Sequence, residues 1–311
     1  MAARFALAWR LHRAEIVAVA IAALGLSVVL LTTAQTLDRI VAACRAATEV
    51  VAPCGGLNEF GTIYDNDIQT TIAMIGPLVG ALPFVAGVLL GAPLVAHELE
   101  QGTAQVSWSL ARSRARWLAI RFLPLVAIGL VILVIPAVAG EILEHSLRPV
   151  IDPAASFEHY GARGPLLVVR FLPAIAIAAV VGAVVGRQLL ALLVAGAVVG
   201  GMAFALSLTT PLWVEPEEQA PAEPSLETVG NLFAYVRYRD ADGNWISQEE
   251  AFAHMSFEGE EPDPNEPEEV FFIIPGERYP EVVLRESAAL LAVAFAASGL
   301  LFLVVRRRRP G

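Results

Sequence analysis

Apolar residues run along this chain in six blocks, at about 15–35, 71–96, 122–143, 165–186, 189–212 and 287–305, each bounded by polar stretches. A block near 20 residues is what an α-helix needs to cross the roughly 30 Å hydrocarbon core of a bilayer. Backbone groups in lipid must be satisfied within the segment itself, so the pattern predicts six transmembrane helices. Ahead of the first block, residues 1–14 set Phe5, Leu7, Trp9 and Leu11 among Arg4, Arg10 and Arg13. That composition suits a short helix lying in the headgroup layer. The apolar run from Ile16 to Leu31 has no clean small-residue cleavage site, so a span is expected there rather than a cleaved leader.

The polar break from Pro93 to Arg121 reads as two helices joined by a tight bend. The second apolar helix continues through His97, Glu98 and Glu100, and Gly102 suits the left-handed residue that closes a helix. Thr103 can cap a short helix carrying Val106, Trp108 and Leu110, and Ser113 can cap the helix that continues through Trp117. The charges run against the helix dipoles. Glu98 and Glu100 lie at a C-terminal end, and Arg114 and Arg116 lie in a first turn, each opposed by about 0.3–1 kcal/mol. Pairing across the bend, the membrane's preference for arginine inside, and a docked partner protein would each compensate.

Small residues recur inside the blocks. Gly76 with Gly80 and Gly87 with Gly91 in the second, and Gly196 with Gly200 in the fifth, have the small-xxx-small spacing that lets membrane helices approach. Pro77, Pro83 and Pro93 predict a kinked, interior second helix. Arg170 falls one or two turns inside the fourth block, where an arginine either snorkels or pairs; Glu141 and Glu144 lie at a similar depth. Cys44 and Cys54, in the first inter-block loop, read either as a disulfide in an oxidising compartment or as two unrelated thiols.

Composition narrows the function classes. The chain has 311 residues, is 56% hydrophobic and has a mean hydropathy of +0.63. All 21 basic residues are arginine, so neither a GxxxxGK[ST] phosphate loop nor a lysine Schiff base exists in the sequence. Nucleic-acid binding has no support. The formal net charge of −10 is an uneven average, because residues 213–286 hold 19 acidic residues against 4 arginines. Two acidic, proline-rich stretches there should be extended, with a hairpin signal at Asp242-Gly243 between them. Arginines cluster on the side that holds both termini, the 93–121 break and Arg187, which the positive-inside rule places in the cytoplasm. The expected organisation is an amphipathic helix at 1–14, helices 1–5 over 15–212 with a cytoplasmic loop at 97–121, an acidic external segment at 213–285, and helix 6 with a basic tail at 286–311. His97 to Gln101 misses the HExxH zinc pattern by its last residue, no G-x-S-x-G occurs, and Glu141, Glu144 and His145 read as a polar helix end. No metal or other cofactor is implied.

The ordered set Gly91, Ala92, Pro93, Leu94, Ala96, Glu98, Glu100, Gly102 and Thr103, followed by Arg114 to Trp117, resembles the pattern after the second span of ABC-2-type permeases, the membrane subunits of a class of ABC transporters. Trp9, Arg10 and Arg13 near the start, the two-cysteine loop, Gly186-Arg187 after the fourth span and Pro275 to Tyr279 before the last are also similar, so the resemblance covers most of the chain. It departs in the long acidic segment and in His97, where arginine is common. The resemblance implies an all-α, six-helix, non-catalytic multi-pass subunit of a bacterial plasma membrane. It would pair with a second such subunit, identical or paralogous, and with two separate ATPase subunits. The 97–121 stretch would be the coupling helix on the ATPase, through Glu98, Glu100, Gly102, Thr103, Arg112, Arg114 and Arg116, and residues 1–14 the connecting helix. The implied activity is export driven by ATP hydrolysis on the partner chain. The rival reading is a membrane-anchored sensor or assembly factor whose external module binds a ligand.

Overall fold

The computed structural model describes residues 2–46, 66–110, 113–148, 151–219, 230–254 and 267–308. Among the described residues, six helices are long and apolar enough to cross a membrane: Trp9–Ala43, Asp67–Glu100, Arg114–Leu147, Gly164–Val185, Gln188–Leu212 and Gly276–Arg307. The elements in chain order are α1 (Ala2–Ala46), α2 (Asn66–Gly91), α3 (Pro93–Glu100), α4 (Ala104–Leu110), α5 (Arg114–Leu147), α6 (Gly164–Val185), α7 (Gln188–Thr209), α8 (Gln248–His254) and α9 (Tyr279–Arg307). Alternating direction puts the start of α1, the α3–α4 elbow, the α6–α7 turn and the end of α9 at one end of the bundle.

The helix core is built on α1 against α5, α2 against α6, and α6 against α9. Leu118, Leu125 and Leu133 of α5 and Leu167, Phe171 and Ile175 of α6 are fully enclosed. Lipid tails are as apolar as leucine, so close packing, not water exclusion, must hold such helices together. Glycine supplies that approach between α2 and α6. A Cβ on Gly87 would stand 2.5 Å from Ala174 Cβ, and one on Gly91 2.5 Å from the Ile175 carbonyl oxygen. By contrast α7 buries only Ala191, Ala195 and Val199, leaving Leu189, Leu193, Phe204 and Leu208 exposed on its outer face.

Two features depart from the sequence reading. Helix α1 does not stop near residue 35 but continues to Ala46, because Leu30, Ala34, Leu37 and Val41 keep a 3–4 residue spacing that packs against the core. Near its start the helix kinks at His12 (φ −124°, ψ 26°), two residues inside the predicted end of the amphipathic segment. Cys54 and the Cys44 side chain, the expected disulfide candidates, lie outside the described part of the structure.

The second departure is that the expected hairpin at Asp242-Gly243 forms part of a larger sheet in the acidic segment. The strands β1 (Glu217–Gln219), β2 (Leu232–Arg239), β3 (Trp245–Ile246) and β4 (Glu268–Ile274) form an antiparallel sheet in the order β1-β4-β2-β3. The apolar run VFFII in β4 and the alternation in β2 favour pleated strands, while the charges around them stay solvated. Asp240 fixes the β2–β3 turn by accepting from the Asn244 amide at 2.7 Å and the Asp242 amide at 3.0 Å, with Gly243 at φ +85°. Ile274 and Leu232 pack with Phe157, Val214, Tyr279 and Val282, seating the sheet on the first turn of α9.

Candidate functional site

At the elbow, Pro93 opens α3, and the helix closes through Gly102 at φ +70°, with the Thr103 amide donating to the Glu98 carbonyl at 3.1 Å. Ser113 caps α5, its hydroxyl accepting from the Arg116 amide at 3.2 Å. Glu98 is buried and forms an ion pair with Arg121 of α5. The Arg121 guanidinium lies 4.5 Å from the Trp117 ring centroid, Trp117 meets Trp108 edge-on at 6.0 Å, and Arg114 lies 4.8 Å from Trp108. Two guanidiniums of α5 thus flank a buried pair of tryptophan rings from α5 and α4.

The dipole-opposed charges find partners on other helices. The Glu100 carboxylate accepts from the Gln188 amide at 2.8 Å, at the N-terminus of α7, where negative charge is favoured. His97 Nδ1 is 2.9 Å from Gln188 Oε1. Arg114 donates to the carbonyls of Arg306 at 3.2 Å and Arg308 at 2.7 Å, at the C-terminal end of α9. Arg308 in turn donates to the Ala183 carbonyl and to the Val184 carbonyl at 2.8 Å, at the C-terminal end of α6. A charge that opposes its own helix thus complements the end of a neighbour.

Of the residues expected to couple here, Glu98, Glu100 and Arg114 are drawn into contacts within the chain. Gly102, Thr103 and Arg116 are exposed, and Arg112 lies outside the described residues. Val106 on α4 is 62% exposed and projects beside them. Arg121, Gln188 and Arg308 belong to the same assembly but were not singled out from sequence. Only Arg121 carried a signal, four residues after Trp117 on one helix face.

At the opposite end a polar network is buried between α5, α6, α9 and the loop before α6. Arg170 pairs with Glu286 of α9, Nε at 3.0 Å and NH2 at 2.8 Å from the same carboxylate oxygen, and Tyr160 donates to the other oxygen at 2.8 Å. The partner sequence suggested, Glu141 or Glu144, is not the one used. Glu141 accepts from the enclosed Arg163 at 2.7 Å, and Glu144 lies 2.8 Å from His159 Nδ1 and 3.6 Å from Arg148. His145 points away and is exposed. Burial, reinforced by the Glu286 carboxylate, pushes the Tyr160 phenol well above its ordinary range.

The glycines divide by environment. Gly87 and Gly91 sit against α6, whereas Gly76, Gly196 and Gly200 have nothing within 4 Å of an added Cβ and Gly80 only Ala162 at 4.0 Å. The open glycines border two hollows. A cavity of about 450 Å³ between α2, α6 and α7 is lined by Gly80, Phe84, Val88, Arg170, Val199 and Gly200 among others. A second, of about 460 Å³, lies farther along α2 and reaches Gly76, Gly80, His159 and Tyr160.

A family profile described as ABC-2 membrane transporter related matches residues 16–210. No curated protein and no solved structure matches the chain. The match covers the first five membrane helices and the elbow, and ends just before the sheet.

Proposed function

Because the chain belongs to the ABC-2 membrane transporter related family and is a multi-pass membrane protein, we propose that it is the membrane-spanning permease subunit of an ATP-driven exporter. In this reading the elbow end is cytoplasmic, α3 and α4 receive two separate ATPase subunits, and a second copy or a paralogue completes the pathway. The observation that carries the proposal is the elbow itself. A short helix with an exposed valine, bordered by the exposed Gly102, Thr103 and Arg116, is seated through Trp108 against Trp117 and Arg114, and the preceding α3 is tied to α5 by the Glu98–Arg121 pair and to α7 by Glu100. A surface that must transmit force needs such bracing. The positive-inside distribution of arginine supports the same orientation, and the absence of lysine leaves ATP hydrolysis by the phosphate-loop mechanism to another chain.

The drive would come from differential binding of ATP-bound and ADP-bound partner states to the elbow, shifting the bundle between two conformations. The test is to purify the full chain with candidate P-loop ATPases and to measure ATP hydrolysis. The expected result is a stable complex, with Val106→Asp lowering the stimulated rate at least fivefold while thermal stability is kept. Failure to bind any ATPase would remove the permease reading in favour of a sensor or assembly factor.

A further inference from the structure

The two hollows adjoin at Gly80, and their α2 linings fall on one helical face: Gln69, Ala73, Gly76, Gly80, Phe84 and Val88. At 1.5 Å per residue that face extends for nearly 30 Å, close to the hydrocarbon thickness of a bilayer. Along it the lining is apolar except near the middle and at the end toward the loop before α6. Of the described residues lining the first cavity, Arg170 alone carries charge. It is 8% exposed, and its guanidinium lies 5.6 Å from the ring of Tyr160, which lines the second cavity. Arg170 therefore stands where the two hollows meet.

The guanidinium has donors left over. Nε and NH2 are directed to Glu286, and NH1, beside Gly161, donates to no acceptor among the described residues. A guanidinium offers five N–H groups and no acceptor, so what completes it must accept hydrogen bonds. Charge-assisted bonds to a carboxylate or phosphate are the strongest of these. The apolar walls and open glycines on either side accommodate a chain.

We propose that the groove along α2 binds an amphiphile with an apolar chain and an anionic head, the head held by Arg170 at the junction of the two cavities and the chain lying against Phe84, Val88 and Val199. The proposal deepens the permease reading by naming the class of molecule its groove accepts. The binding itself requires no ATPase.

The test uses the full chain alone in phosphatidylcholine nanodiscs with a photoactivatable palmitate, compared with the same chain bearing an alcohol or a trimethylammonium head. Palmitate should label peptides containing Phe84–Val88 and Val199–Ala203 at least fivefold more than the other two probes. Gly200→Phe, whose side chain enters open space, should reduce that labelling at least fivefold without loss of folding. Replacing both charges, Arg170→Met with Glu286→Met, should bring the three probes to equal labelling. A photoactivatable phosphatidylglycerol included in the bilayer separates the sources. Labelling by it that palmitate cannot displace assigns a resident lipid, and displacement assigns a free amphiphile. Equal labelling of the three heads in the unmodified protein, or labelling unmoved by Gly200→Phe, overturns the proposal. An ATPase that fails to associate would overturn the permease reading and leave these results standing.

Discussion

Truncating Glu286 to alanine should be among the most damaging single changes in the bundle. Its carboxylate is 0% exposed and accepts three hydrogen bonds, from Arg170 Nε at 3.0 Å, Arg170 NH2 at 2.8 Å and the Tyr160 hydroxyl at 2.8 Å. Removing it leaves a buried guanidinium without its counter-charge, a loss of about 3–5 kcal/mol. It also strands a phenol that had an acceptor, adding about 1–3 kcal/mol. Arg170→Ala leaves the opposite charge alone and should cost a similar amount. Arg170→Met combined with Glu286→Met removes both charges, keeps most of the volume and leaves only the Tyr160 phenol stranded, so it should fall within about 1–3 kcal/mol of the unmodified protein. The measurement is a double-mutant cycle by reversible unfolding in mixed micelles, read by the intrinsic tryptophans. If Glu286→Ala shifts stability by less than about 1 kcal/mol, or the double variant is worse than Glu286→Ala, the pair does not clasp α6 to α9 and the reasoning fails.

Further predictions follow from other contacts. Gly91→Leu should lower stability by about 1–3 kcal/mol through overpacking against the Ile175 carbonyl, whereas Gly196→Ala, with open space around it, should be close to neutral; thermal unfolding in detergent compares the two. The folded state holds the Tyr160 proton more tightly than the unfolded chain does. Its stabilisation is therefore complete below about pH 10 and is lost as pH rises toward the folded value, a loss that Tyr160→Phe should abolish in alkaline melting curves. At the β2–β3 turn, hydrogen bonds from the Asn244 backbone and side chain hold the Asp240 carboxyl below its usual range. Protection of the Asn244 amide from hydrogen exchange should thus be full above about pH 4 and decline as pH falls through the folded value, with Asp240→Ala removing the dependence.

Much of the bundle is legible in the chain. The six spans follow from apolar block length, and the elbow follows from local chemistry: Pro93 as a helix start, Gly102 as its left-handed end, Ser113 as the next cap. These signals act within a few residues of where they are written. Arg170 announces that something must meet it, yet Glu286 lies 116 positions away on the last helix. Its selection over the nearer Glu141 and Glu144 depends on the rotation of α9 against α6, set by packing that no local pattern encodes. Arg163 also takes Glu141, a competition visible only once the loop before α6 is folded. The same limit separates Gly87 and Gly91 from Gly196 and Gly200. All four share one spacing, but only the first two have a helix against them.

The elbow is also tied, directly or through its neighbours, to several helix ends. Glu100 grips the start of α7, Arg114 grips the end of α9, and Arg308 of α9 grips the end of α6. The start of α7 is thereby tied to α3, the end of α9 to the start of α5 and the end of α6 to α9, while α2 runs into α3 at Pro93. Under the proposed coupling, a thrust on α3 and α4 would pass to α2, α6 and α7 through these contacts. Those three helices wall the first cavity, so in the proposed coupling its width would follow the position of the elbow.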